Sequence, residues 1–263
     1  MNQQNKISKH IGILCAMPEE VGSILDNLKN IKKKNYGDLE IYSGKWAFSN
    51  STCKYKDIYL SIAWSGWGKV SAARAATRII SHQFNKLKLN AIFFTGVAGA
   101  INSKLKQWDI IIPYELIQHD MDARPLFKKY EIPALKTVRI KSNKLINDWT
   151  LSTLKNSIKD GSLKNFGNVY EGLIATGDKF ISNKNDIENI SKEMEDLSAV
   201  EMEGASVAQV AKQENIPFQV IRVISDEANE NSSEDFSKFL IKYNNHSAKL
   251  ISVLIENIES LPI

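Results

Sequence analysis

Three carboxylates stand in unusually apolar company. The stretch Ala199-Val-Glu-Met-Glu-Gly-Ala-Ser-Val-Ala-Gln-Val-Ala211 carries Glu201 and Glu203, and Gln219-Val-Ile-Arg-Val-Ile-Ser-Asp226 ends in Asp226. A carboxylate is costly to bury without partners, so these residues point to a polar site at the edges of packed elements. Carboxylates held there are the groups that general acid–base chemistry uses. Further polar or glycine clusters follow other apolar runs: Glu19 and Glu20, residues 96–99 (Gly-Val-Ala-Gly), residues 177–181 (Gly-Asp-Lys-Phe-Ile), and Ser225 with Asp226.

The elements that must position them alternate between buried strands and helices. Apolar runs predict strands at residues 10–16, 91–95, 109–116, 168–175 and 217–224, with a hairpin of strands at 40–48 and 55–63 turning near Asn50 and Ser51. Helical periodicity predicts helices at 70–84, 142–158 and 204–214 and one long amphipathic helix over 233–259, capped by Ser232 or Ser233. Pro18 suits the first turn of a helix running to about Lys29, with Glu19 and Glu20 at its positive end. Ser65-Gly-Trp-Gly-Lys69 reads as a glycine turn, and residues 118–135 as a loop. Such alternation implies an α/β fold: a single-domain three-layer sandwich with a mixed, largely parallel central sheet flanked by helices. Residues 1–9 form a polar extension and 10–263 the domain. In sheets of this kind ligands bind beyond the carboxyl ends of the strands, which is where the polar clusters fall.

Composition narrows the function class. The chain has 263 residues, 43% of them hydrophobic, enough for a core of one large domain. Its net charge is +4, yet only five residues are Arg, and the Lys32-Lys33-Lys34 run is short and reads as a solvated helix end or turn. Neither feature makes a nucleic-acid face. Cys15 and Cys53 are too few and too far apart for a disulfide framework, and the first residues lack the apolar core of a signal peptide. No apolar run approaches the ~20 residues that span a bilayer. The expectation is a cytoplasmic protein without membrane or nucleic-acid partners.

Taken singly, the candidate residues keep structural alternatives. Glu20 fits a helix N-terminal charge, Asp226 a turn cap, and Glu203 a cap for the small-residue helix. Phe180, Phe236 and Met202 fit a core. His119, in Gln-His-Asp-Met-Asp, has carboxylates beside it but no second His, so a structural or loop hydrogen-bonding role is expected rather than a metal site.

Taken in order, six motifs change the weighing. Ile11-Gly-Ile-Leu-Cys-Ala-Met-Pro-Glu-Glu-Val21, Ser65-Gly-Trp-Gly-Lys-Val70, Thr95-Gly-Val-Ala-Gly99, Thr176-Gly-Asp-Lys-Phe-Ile181, Ala199-Val-Glu-Met-Glu-Gly-Ala205 and Val223-Ile-Ser-Asp226 resemble the purine nucleoside phosphorylase/nucleosidase superfamily, and most the 5′-methylthioadenosine/S-adenosylhomocysteine nucleosidases. The resemblance spans residues 10–240. It implies hydrolysis of the N-glycosidic bond between adenine and a 5′-thio-substituted ribose, on a homodimer, with no metal and no organic cofactor.

The resemblance also implies roles. Asp226 matches the acid that protonates the leaving base, since burial favours a carboxyl's neutral, donating form. Glu20 matches the residue that orients and deprotonates water. Glu203 matches the grip on the ribose hydroxyls and a charge that favours an oxocarbenium-like transition state. Phe180 would stack on the base and Ile181 bond it through its backbone. Met202 would pack on the ribose, Ser225 steady Asp226 or the base, and Phe236 close the pocket. Ala98 and Gly99 would line it, and Glu201 and Arg222 match polar positions near the ribose and the water. Trp67 and Val97 depart from the family, which usually has a smaller aliphatic residue and a serine there. The loop over 119–127 also differs; in the family it reaches the neighbouring subunit's 5′ pocket, where Arg124 would meet an anionic group or be a solvated or interface charge. Rival readings are a phosphorolytic enzyme of the same fold, a nucleosidase for another 5′-modified purine nucleoside such as futalosine, and a non-catalytic nucleoside-binding protein.

Overall fold

Ten strands and six α-helices make up the described residues, 7–48, 55, 57–226 and 232–263, of this computed structural model. In chain order they are β1 (Lys9–Cys15), β2 (Leu28–Tyr36), β3 (Leu39–Trp46), β4 (Ile58–Trp64), α1 (Lys69–Ser81), β5 (Ala91–Ala100), β6 (Ile110–Gln118), β7 (Arg139–Lys141), α2 (Lys144–Lys159), β8 (Val169–Thr176), α3 (Lys184–Glu193), β9 (Leu197–Glu201), α4 (Gly204–Gln213), β10 (Phe218–Asp226), α5 (Ser232–Tyr243) and α6 (Ser247–Glu256). The sheet order is β10-β6-β8-β9-β5-β1-β4-β3-β2, with β7 on β6 and a second pairing between β10 and β5. Parallel pairings β4–β1–β5–β10 and β6–β8–β9 carry the centre, while β2–β3–β4 is an antiparallel edge. Because β5 pairs with both β9 and β10, one end of the sheet curls closed.

Side-chain alternation builds two cores from one sheet. On β5, Phe93 and Val97 face a core completed by Ile146, Trp149 and Leu154 of α2 and by apolar residues of α5 and α6. Ile92, Phe94 and Ala98 face the other, where α1 gives Ala72, Ala75, Ala76 and Ile79, and α4 gives Ala205, Val207, Ala208 and Ala211. The small residues let α1 and α4 lie close to the sheet and each other, so these strands are buried on both faces.

Four expectations change. The helix over 18–29 is two short 3-10 turns, Pro18–Glu20 and Gly22–Asn27, because Gly22 sits at φ +51, outside the helical region. The three lysines belong to the exposed edge strand β2, where charge discourages pairing with another chain. The long C-terminal helix breaks between α5 and α6 at Asn244–His246, and Ser247 Oγ donates to the Glu19 carbonyl at 2.9 Å, tying α6 to the turn that carries Glu20. The strand expected at 91–95 runs on through Gly96-Val-Ala-Gly99. Elements β2, β7, α3 and β9 were not foreseen. Asn50, Ser51, Cys53 and the first six residues lie outside the described residues, and Cys15 is a buried free thiol.

Candidate active site

Six strand ends converge on one open pocket. Its wall includes Glu20, Ala98, Gly99, Phe180, Ile181, Glu201, Met202, Glu203, Ser225, Asp226 and Phe236, every expected site residue except Arg222. Arg222 lies wholly buried beneath the wall.

Glu20 folds back on its own turn. Its Oε2 accepts the backbone N–H groups of Ala16 (2.7 Å) and Met17 (3.1 Å), and its Oε1 accepts that of Val97 on β5 (3.0 Å). Burial raises its pKa, against Arg222 and these three donors. Gly96 is required here. A Cβ at residue 96 would lie 2.1 Å from Arg222 Nη1 and 2.5 Å from Glu20 Oε1.

Glu201 and Glu203 divide two roles two residues apart. Glu201 is spent on structure: Thr176 Oγ1 donates to its Oε1, and Arg222 Nη2 and the N–H groups of Glu203 (3.1 Å) and Gly204 (2.7 Å) donate to its Oε2. It therefore caps α4, the role open to Glu203 in the sequence, whose own carboxylate makes no capping bond to that helix. Glu203 instead crosses to the glycine turn, accepting the Gly68 N–H at 2.8 Å, with Arg222 Nη2 at 3.6 Å. Its pKa is pushed up to about 8, first by burial and then by the Glu201 charge, with Arg222 and the Gly68 N–H opposing.

Arg222 binds these groups into one cluster. Its guanidinium lies over the Phe94 ring (4.2 Å), and its Nε and Nη1 have no hydrogen-bond partner among the described residues. Burial opposes its charge, but Glu201, Glu20 and Glu203 outweigh this and raise its pKa. At the far side Ser225 Oγ donates to Asp226 Oδ2 at 2.7 Å, and Gln107 Nε2 holds the Ser225 carbonyl at 2.7 Å.

Aromatic rings close the opposite wall. Phe236 of α5 meets Phe180 and Trp67 edge-on, with centroids 5.9 and 6.0 Å away. Ala16, Met17, Lys179 and Val200 also line the pocket and were not singled out in the sequence. Adjacency to Glu20, Phe180 and Glu201 was the available signal. Val97 lines the pocket and gives its backbone N–H to Glu20. His119 packs its ring against Gly177, in keeping with a structural role, and its Nε2 has no hydrogen-bond partner among the described residues. Arg124 is exposed and paired with Asp122 (2.5 Å), away from this pocket.

Comparison with known proteins gives the same picture. The Phosphorylase superfamily model matches residues 10–256. A 5′-methylthioadenosine/S-adenosylhomocysteine nucleosidase of Shewanella sediminis is 34% identical over 250 residues, covering 94% of this chain and 99% of the relative. Among solved structures, the nucleosidase of that name from Neisseria meningitidis, in complex with methylthio-immucillin-A, aligns with TM-score 0.81 and 28% identity over 95% of this chain and 99% of its own. The futalosine hydrolase of Helicobacter pylori aligns with TM-score 0.78 and 30% identity over 95% and 98%.

Proposed function

The chain belongs to the phosphorylase superfamily, and we propose that within it this protein is an N-glycosyl hydrolase, cleaving 5′-methylthioadenosine or S-adenosylhomocysteine to adenine and the 5′-thio-substituted ribose. The observation that carries this reading is the meeting of Glu20 with Glu203 and Asp226 around one pocket, with Arg222 beneath.

The chemistry divides among these groups. Glu20, held by three backbone donors with its basicity raised by burial, orients water and takes its proton as oxygen bonds to the anomeric carbon. The carbon–nitrogen bond to the base breaks, and the electron pair leaves with adenine. Asp226, steadied by Ser225, protonates a ring nitrogen of the departing base. Glu203 grips the ribose hydroxyls, whose donation to its carboxylate favours the ionised form, and that charge stabilises the positive charge that develops on the sugar. Phe180 and Ile181 hold the base, Met202 packs on the ribose, and Phe236 covers the pocket from α5; Ala98 and Gly99 form its floor. Glu201 and Arg222 position Glu203 and the water.

Hydrolysis is favoured over phosphorolysis by what fills the start of α1. A helix N-terminus is a natural phosphate site. Here the Gly68 N–H is taken by Glu203 (2.8 Å) and the Lys69 N–H by Asp178 (2.7 Å). The reading carries with it one cytoplasmic domain over residues 10–263 acting as a homodimer. Loop 119–127 would meet the neighbour; it exposes Leu126 (83%) and Phe127 (41%). The similarity to futalosine hydrolase keeps a second 5′ substituent in play.

Asp226→Asn tests the assignment. It should abolish adenine release, by about a hundredfold or more, while nucleoside still binds by calorimetry. Full activity in that variant would remove the proton-donor role. A panel of 5′-substituted adenosines, assayed for free adenine, would fix the substituent.

A further inference from the structure

Three motif residues remain outside the chemistry: Lys69 in the glycine turn, Asp178 in Thr176-Gly-Asp-Lys-Phe-Ile181, and Asp120 in the loop after β6. They form a closed ring. Asp178 Oδ1 accepts the Lys69 N–H at 2.7 Å, Lys69 Nζ donates to Asp120 Oδ1 at 2.5 Å, and Asp120 Oδ2 accepts the Asp178 N–H at 2.9 Å. Each bond comes from a different pair of loops, so the ring joins the starts of the segments that follow β4, β6 and β8.

The ring sits directly against the Glu203 contact. Lys69 follows Gly68, whose N–H is the backbone donor to Glu203 at 2.8 Å. Gly68 itself is at φ +88, and a Cβ there would lie 2.9 Å from Asp178 Oδ1, so the turn and Asp178 are fitted together. An ordinary exposed ion pair contributes little. This one is different in kind, because two of its three bonds are carboxylate-to-backbone N–H bonds, which fix main chain rather than a flexible side chain.

We infer that Asp178, Lys69 and Asp120 are positioning residues: their ring locks the glycine turn so that the Gly68 N–H meets Glu203, and thereby sets how Glu203 presents its carboxylate to the sugar. The inference rests on the reading of Glu203 as the ribose grip. Loosening the turn withdraws one of the two contacts that favour the charged form of Glu203, the other being Arg222, against burial and the charges of Glu201 and Glu20. The other titratable groups around the ring are Lys179, which lines the pocket and pairs with Asp186, and His119, which lies beside Asp120 and whose pKa burial lowers.

The test follows Glu203 itself. Difference infrared titration of the ligand-free enzyme, with the Glu203→Gln variant assigning the carboxyl band, should show Glu203 titrating about half a pH unit or more higher in Asp178→Ala than in wild type, a roughly threefold change in proton affinity. Asp178→Asn keeps an Oδ1 acceptor for the Lys69 N–H and should stay near wild type. Lys69→Met and Asp120→Asn should move in the same direction as Asp178→Ala. In parallel, kcat/KM for adenine release should fall about tenfold in Asp178→Ala and recover in Asp178→Asn. An unmoved Glu203 band in a folded Asp178→Ala protein overturns the inference. A wild type that releases no adenine would contradict the reading of the reaction instead, and the infrared result would still decide the role of the ring. Should Asp178→Ala not fold, Lys69→Met with an unmoved band is equally contradictory.

Discussion

At the scale of single residues, the site works by giving four carboxylates different surroundings. Glu201 has its oxygens committed to Thr176, Arg222 and two backbone donors, whereas Glu203 has a backbone donor and a more distant arginine. The consequence for stability can be signed. The Glu203 pKa is about 8 in the folded protein against an ordinary 4.5, so between these values the folded state keeps a proton that the unfolded chain has released. Stability therefore falls as pH rises through that window. Glu203→Gln removes the titration. It should melt close to wild type near pH 4.5 and several degrees higher near pH 8, a gain on the order of a few kcal/mol at most, while losing adenine release. Melting curves for the two proteins across this range check it; a difference that does not grow with pH would contradict the raised affinity. Gly96→Ala is the complementary case. A methyl group 2.1 Å from Arg222 Nη1 must displace the cluster. It should cost at least about 2 kcal/mol in thermal or urea unfolding and most of the activity.

At the scale of elements, the strand ends were legible and several element types were not. Apolar runs such as His10–Ala16 and Pro217–Ile224 announce buried strands, because strands covered on both faces leave no alternation to misread. Glu20 and Asp226, which follow those runs, and Glu203, a carboxylate set in an apolar stretch of its own, were thus found before their geometry was known. The Lys-rich β2 was misread because an edge strand exposed on both faces has no hydrophobic period, and its residues suit a helix end equally well. The break between α5 and α6 was hidden for a related reason: Asn244 and Asn245 weaken a helix only slightly, and the decisive contact, Ser247 to the Glu19 carbonyl, is long-range. The Asp120–Lys69–Asp178 ring had no local signal either, since its three members come from three separate loops. Arg222 was placed near the water, and its full burial beneath the pocket is a tertiary fact that no local pattern carries.

At the scale of the whole molecule, the β5 strand joins the two halves, pairing with β1, β9 and β10 and presenting Val97 to Glu20. Far from the pocket, the same sheet holds a buried polar row: His10 Nε2 to Ser61 Oγ (2.7 Å), Ser61 to Ser43 (2.7 Å), and Ser43 to His82 Nε2 (3.1 Å). Burial chiefly lowers the His10 pKa from 6.5 to about 4, with the Leu87 carbonyl opposing and His82 assisting. Between those values the unfolded chain binds a proton that the folded one refuses, so the molecule loses stability as pH falls from 6.5 towards 4. His10→Asn should flatten that acid slope, by up to roughly 3 kcal/mol at pH 4, as read by urea unfolding; an unchanged slope would show that other groups govern it.

Everything assigned to the pocket turns on water being the nucleophile that Glu20 activates. The most direct measurement is incubation of the enzyme with 5′-methylthioadenosine in phosphate-free buffer made with oxygen-18 water, followed by mass spectrometry of both products. Adenine and an equal amount of thio-substituted ribose carrying one heavy oxygen at the anomeric carbon are the predicted result, lost in Glu20→Gln. Adenine release that requires added phosphate and yields a sugar phosphate, or that persists unchanged in Glu20→Gln, would contradict it.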